Sequence, residues 1–411
     1  MIAFLIALIP LAAWWRFRDA PIDRDYCPYA YPAVLKSPWL ADGHTDIKPP
    51  LVHWSYKCWL TTISFLRNWL GLRASLRLLP YLGMSLVTWS AAQSGTERGL
   101  ILAFLFASPS LWGHMANTEW LTAALWALAG MAAPGPWAWL FLGLTPLANQ
   151  KNVLLIVPVA LALGLPFQPT TPAVLAFPSL AVVAWLSLTG RLSKAVHWCW
   201  MVPKKFGKAR TFRINTLSAQ HLLKPGILLM VPFLATADVA SPWFLVFVAV
   251  VGVSVLSKQI VPHHYLAWAY PLAMAANPGV GSVLAFGAVW VMRDLLPYLK
   301  PETLYAVAFP YRDGRNYGDV LADGAEVVAW LKEHAKGEDT IWVNGWENQI
   351  YLEAGKKAWQ VNVPELTDAP EGITPRVIIH CANGAVPFDY DGYEHEMMTT
   401  NGFHVILKRA A

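Results

Sequence analysis

The residues best suited to chemistry stand in one polar stretch near the N-terminus, between Asp23 and Trp54. It begins Asp23-Arg24-Asp25-Tyr26 and closes Asp46-Ile47-Lys48-Pro49-Pro50-Leu51. A carboxylate here can serve as general base toward an acceptor hydroxyl or amine. A lysine nearby can hold a phosphate leaving group and stabilise its growing charge. Together, Asp23, Asp25, Asp46 and Lys48 would suit displacement of a lipid phosphate from a sugar carbon. Pro49-Pro50 would fix the chain direction beside Lys48 and prevent helix there. An ordinary solvated loop would carry the same charges, and composition does not separate the two readings.

The elements that must position this loop are mostly membrane. Of 411 residues, 56% are hydrophobic and only 14% are charged. Soluble domains carry about 25% charged residues, so a polytopic membrane protein is expected. The 22 tryptophans suit membrane interfaces. A net charge of +5, with its basic residues between apolar runs, points to anionic headgroups or a lipid phosphate rather than nucleic acid. Cys27, Cys58, Cys199 and Cys381 show no metal-like spacing. Cys27 and Cys58 could meet on the outer face, but two free thiols are the expectation. Residues 1–15 lack a basic leader and precede Arg16 and Arg18, so they read as an uncleaved first helix.

Residues 16–50 form the first loop. Residues 51–70 could span, but Lys57, Arg67 and Asn68 favour a helix lying in the interface. Apolar runs follow at 74–93, 98–114, 118–133, 136–149, 151–167, 171–189, 217–237, 241–257, 264–277 and 280–298. Several fall short of the ~20 residues a straight span needs, and Pro80, Pro109, Pro146, Pro158, Pro178, Pro232 and Pro271 suggest kinks. About 10 to 12 membrane helices are expected. The basic stretch 190–216 reads first as a positive-inside cytoplasmic loop, and second as a phosphate-attracting rim. From about residue 300 the composition changes to a small α/β domain. Its elements are a helix over 317–335, strands over 340–344, 376–381 and 404–408, and a short element at 349–352. The domains are therefore 1–299 in the membrane and 300–411 outside it. No Gly-rich loop precedes a helix there, which argues against a nucleotide site.

The stretches "PIDRDYCPYAYPAVL" and "DGHTDIKPPLVHW" resemble the first extracytoplasmic loop of GT-C fold membrane glycosyltransferases. The likeness is to the bacterial family 39-like enzymes, related to protein O-mannosyltransferases and lipid A aminoarabinose transferases. Their pattern is Arg-Asp-Glu, an aromatic-rich helix, then Asp-x-Lys-Pro-Pro. Arg24-Asp25 and Asp46-x-Lys48-Pro49-Pro50 match it, with Tyr26 in place of Glu; Tyr29 falls in the aromatic segment. "SPSLWGHMANTEWLTAALWALA" is similar to the second motif of that family and points to Glu119 as a second active-site acid. A helix N-terminal acid would also explain it. "GLTPLANQKNVLLIVP" places Lys151 at the bilayer edge, where it could meet lipid phosphate or snorkel. "KQIVPHHYLAWAYPLAMA" places His264, Tyr265 and Pro271 in a His-Tyr motif. "DTIWVNGWENQIYLEAGKK" resembles a segment of the family's C-terminal domain.

The resemblance implies a mannosyltransferase-like enzyme of the bacterial inner (plasma) membrane, with its active site facing the extracytoplasmic side. It implies a polyprenyl-phosphate sugar donor, a glycan, lipid or protein acceptor, and inverting transfer. Asp25 would be the base, with Asp23 and Glu119 as further acids. Lys48, Asp46, Tyr29, Lys151, His264 and Tyr265 would bind substrate. No cofactor is required and no metal cluster is visible, although a divalent cation could bridge Asp25 and Glu119. Asp25 and Glu119 can share a site only if 51–70 lies along the membrane. Arg67, Arg73 and Arg77 then sit outside, against the positive-inside rule. The competing reading is a transporter or flippase of lipid-linked sugars, which would show internal repeats; none is found. A third reading, an assembly or sensor protein, rests on residues 300–411 alone.

Overall fold

The computed structural model describes residues 1–19, 22, 30, 34, 39, 48–108, 118–201, 225–256, 264–299, 317–336, 339–344, 349–356, 358–359, 374–381 and 392–409. Most of it is helical. The apolar runs become helices close to where the sequence puts them: Glu119–Ala132, Pro136–Ala148, Thr171–Leu188, Pro242–Leu256, His264–Ala275 and Val280–Leu299. These segments are apolar on most sides, so burial in a common bundle and in lipid is the arrangement that keeps them from water. Thr171–Leu188 is, among the described residues, the one helix long and apolar enough to cross a bilayer by itself. Only 22% of its apolar window is buried in the protein. Phe177, Leu180 and Leu188 face outward from it, as a lipid-facing surface requires. Ile2–Phe17, Gln150–Ala162 and Pro242–Leu256 are apolar but shorter. Pro80, Pro146, Pro178, Pro232 and Pro271 all lie inside helices, each removing one backbone hydrogen bond.

The segment 51–70 forms two helical pieces. Leu51–Thr62 ends at Ile63, and Ser64–Ser94 is broken at Gly71, whose φ of 78° suits glycine. Twelve residues of helix extend about 18 Å, well under the ~30 Å hydrocarbon core. The Trp59 indole turns back to donate to the Ser75 carbonyl at 2.8 Å. Phe65 and Trp69 project outward.

Helices Ser64–Ser94 and Thr96–Ala107 double back on each other about Gly95. Gly99 permits the close approach: a Cβ there would collide with Ala92. This hairpin carries Ala107 back to the end where the chain left the first helix. Ser108 donates to Asp294 at 2.8 Å, and Arg16 donates to the Leu299 carbonyl. Residues 16–19, 108 and 294–299 thus share one end of the bundle.

The C-terminal unit is a five-stranded sheet in the order β2-β1-β3-β5-β4. Here β1 is Ile341–Asn344, β2 Ala358–Trp359, β3 Val377–Cys381, β4 Tyr393–Met398 and β5 His404–Arg409. β1 runs parallel to β2 and β3, whereas β5 pairs antiparallel with β3 and β4. Helix Tyr317–His334 supplies Val327 and Leu331 to the core, with Ile341, Ile379 and Ile406. Strands β2 and β4 are absent from the sequence reading. β2 is two residues long, and the Tyr-Glu-His-Glu-Met-Met run of β4 is a mostly exposed edge without apolar alternation.

Candidate active site

A small cavity, about 40 Å³, opens where four elements meet. Helix Glu119–Ala132 contributes Glu119, Thr122 and Trp126; the 3-10 turn Gln150–Leu155 contributes Lys151, Asn152 and Leu155, beside Asn149. Val250, Val253 and Ser254 come from Pro242–Leu256, and His264 and Ala267 from His264–Ala275. Three residues drawn from separate sequence motifs, Glu119, Lys151 and His264, therefore line one space.

The local structure explains how Glu119 is held. It is the first residue of its helix, where a negative charge is favoured by the backbone dipole. Its Oε2 accepts the Thr118 backbone N–H at 2.9 Å and the Thr118 hydroxyl at 3.3 Å. The other oxygen, Oε1, lies 3.9 Å from His264 Nε2. The helix-terminal explanation and the site explanation thus both apply, one to each oxygen. Glu119 is 7% exposed. An acid so placed is costly to charge unless polar partners surround it.

Those partners form a connected shelf. The Asn149 amide donates to the Thr118 hydroxyl at 3.3 Å, and its oxygen accepts the Lys151 backbone N–H at 3.3 Å. The Asn152 amide donates to Thr122 at 2.8 Å and to the Thr145 carbonyl at 3.0 Å. On the far wall, the Trp268 indole donates to Ser254 at 3.0 Å. Thr122, Asn149, Asn152 and Ser254 are not among the site residues singled out in the sequence. The signal was the pair of asparagines flanking Gln150-Lys151 in an otherwise apolar stretch, since amides inside a membrane demand partners.

Lys48 lies on a neighbouring element. Its carbonyl accepts from the Cys199 thiol at 3.5 Å, and the Cys199 carbonyl accepts from the Gln150 amide at 3.3 Å. The first loop therefore returns next to the turn that carries Lys151. The beginning of the basic stretch, residues 192–201, stands at this same end. The rest of that stretch, residues 202–216, lies outside the described residues. Tyr265 is buried and packs edge-on against Trp268, with ring centroids 4.8 Å apart, outside the cavity lining. Asp23, Asp25, Tyr29 and Asp46 lie outside the described residues. Among the described residues no group of three or more His, Cys, Asp or Glu side chains could hold a metal ion. Cys58 and Cys199 are not joined in a disulfide.

No family model matches the chain, and no curated protein matches it. A solved structure does: ArnT from Cupriavidus metallidurans bound to undecaprenyl phosphate, with a TM-score of 0.54. The two share 13% identity over 99% of this chain and 98% of that one. This chain has the GT-C fold. The likeness covers both the helical bundle and the C-terminal sheet. Within the GT-C fold, the described cavity and both described flanks of the first loop stand at one end of the bundle.

Proposed function

We propose that the protein is a membrane glycosyltransferase that moves a sugar from a polyprenyl-phosphate donor to an extracytoplasmic acceptor. The observation that carries this reading is the meeting of Glu119, Lys151 and His264 in one cavity of a GT-C fold. Three short motifs far apart in sequence have no reason to converge in a protein that uses none of them. The solved structure of similar fold holds undecaprenyl phosphate, which supports a donor of that class.

In this mechanism Asp25 removes the proton from the acceptor hydroxyl or amine. The acceptor atom then attacks the anomeric carbon, and the bond from that carbon to the phosphate oxygen breaks. The phosphate leaves with the electron pair, and Lys48 and Lys151 stabilise its charge. Glu119 acts beside Asp25 as the second active-site acid, His264 holds the sugar with Asp46 and Tyr29 completing its contacts, and Asp23 reinforces the acidic rim. Inversion follows from a single displacement. No cofactor is needed; were a divalent cation used, the Asp25 and Glu119 carboxylates would hold it and it would supply positive charge to the leaving phosphate, and chelation would then abolish transfer. The bundle would sit in a bacterial-type inner membrane with this end outward.

The test supplies membranes with a radiolabelled polyprenyl-phosphate sugar and follows label from lipid to acceptor. Transfer by the wild type and its loss in Asp25→Asn, at equal expression, are expected. Lipid binding without any loss of label would replace this reading with a carrier of lipid-linked sugars. Normal turnover in Asp25→Asn would remove the base assignment.

A further inference from the structure

The C-terminal unit grips the start of the first loop through one side chain, Glu353. It stands near the end of the short helix Gln349–Ala354, where an acid opposes the helix dipole and needs compensation. Its Oε2 accepts from the Arg73 guanidinium at 2.8 Å, and its Oε1 accepts the Ile22 backbone N–H at 3.3 Å. Arg73 reaches further and donates to the Asp19 carbonyl at 3.3 Å. One turn along the same helix, the buried Arg77 donates to the Arg18 carbonyl at 3.3 Å. Arg18 itself lies over the Trp15 ring at 3.8 Å. Arg18, Asp19 and Ile22 are therefore each held at a backbone atom by a side chain from elsewhere in the chain.

Arg73 also sits two residues after Gly71, where the helix is broken. The break separates the exposed piece carrying Phe65 and Trp69 from the long helix bearing Arg73 and Arg77. Arginines at these positions oppose the positive-inside rule, and the clasp gives them a use: their charge meets Glu353 and backbone carbonyls.

The geometry points to Glu353 as a positioning residue for sugar transfer, tying the C-terminal unit to the loop segment that leads into Asp25. This rests on the function proposed above. Glu353 touches no reacting atom in that scheme. It sets where the loop leaves the bundle, three residues before Asp25. A displacement of about 1 Å at a reacting group can cost on the order of a hundredfold in rate. The pair is partly buried, so a docking role alone would appear as lost thermal stability with turnover per folded molecule unchanged, whereas a positioning role lowers turnover in a protein that stays folded.

The experiment compares turnover, donor KM and thermal stability in detergent for Glu353→Ala, Glu353→Gln and Arg73→Met. Arg376→Gln, at a salt bridge elsewhere in the C-terminal unit, serves as control. Glu353→Ala is expected to lower kcat about tenfold or more with donor KM changed less than about twofold. Glu353→Gln keeps an acceptor for Ile22 and should fall between. The double variant of Glu353→Ala and Arg73→Met should lose no more than the worse single, because both break one clasp. Wild-type turnover in a folded Glu353→Ala protein would overturn the proposal, as would a loss of turnover that follows a fall in thermal stability. Absence of transfer by the wild type would instead count against the function itself.

Discussion

His264 Nε2 stands 3.9 Å from Glu119 Oε1, and each residue opens its own helix. Two helix starts from distant parts of the chain thus face each other across the cavity.

Replacing this carboxylate should therefore be felt in transfer. Glu119→Gln preserves the shape and the contact with Thr118 but removes the charge opposite His264. Turnover is expected to fall by about a hundredfold, in the range that positioned acid–base groups supply. His264→Gln should fall less, by about tenfold. Label transfer in membranes of matched expression measures both, and a Glu119→Gln enzyme with wild-type turnover would remove the residue from the site.

Lys151 and Lys48 are assigned to the phosphate, so their loss should appear in donor use. Lys151→Gln and Lys48→Ala are expected to raise donor KM about tenfold, with the larger effect at low salt, where screening is weak. Titration of the polyprenyl-phosphate sugar at two ionic strengths checks this. Unchanged donor dependence in Lys151→Gln would leave only its snorkelling role.

Gly99 decides how close two helices come. A Cβ there would run into Ala92, on the hairpin that returns the chain to the active end. Gly99→Val should destabilise the protein by about 1–3 kcal/mol, the usual cost of overpacking. Thermal unfolding in detergent reads this. An unaltered midpoint would show that the hairpin can part without penalty.

The C-terminal unit should lose stability in acid through two groups. Burial raises the Asp323 pKa, but hydrogen bonds from Thr399, from the Phe403 and Asn401 backbone and from the Asn401 side chain outweigh it. Its carboxyl titrates below the usual value, so the stability it contributes is present above about pH 4. That contribution is lost as pH falls through the folded pKa. Burial and the nearby His404 lower the His380 pKa. The unfolded chain then takes up the proton first, so stability declines as pH falls below about 6.5, the ordinary histidine value. Hydrogen exchange of strands β3 and β5 at pH 7.5 and 5.5 should show faster opening at the lower pH, and His380→Gln should flatten the change.

Much of this protein was legible in its sequence because membrane helices declare themselves by long apolar runs. The starts of Pro136–Ala148, Thr171–Leu188, His264–Ala275 and Val280–Leu299 fall where composition puts them. Glu119, Lys151 and His264 stand out in the sequence because their stretches resemble motifs of GT-C fold glycosyltransferases. Strand β4 was not legible, since an exposed edge has no apolar period, and neither was the broken turn at Gly71, since one glycine in a helix fixes no dihedral.

The sequence by itself determined the class of molecule and most of the residues worth testing, because transfer free energy acts locally along the chain. Which residues meet was decided only in three dimensions. The hairpin about Gly95 returns Ser108 to the end shared with Arg16 and Leu299, and packing brings Glu119 opposite His264. Glu353 reaches Arg73 across 280 residues of sequence. Hydrophobicity selects what is buried, but it is non-directional; the pairing of charges came from close packing and from the need to satisfy each buried polar group.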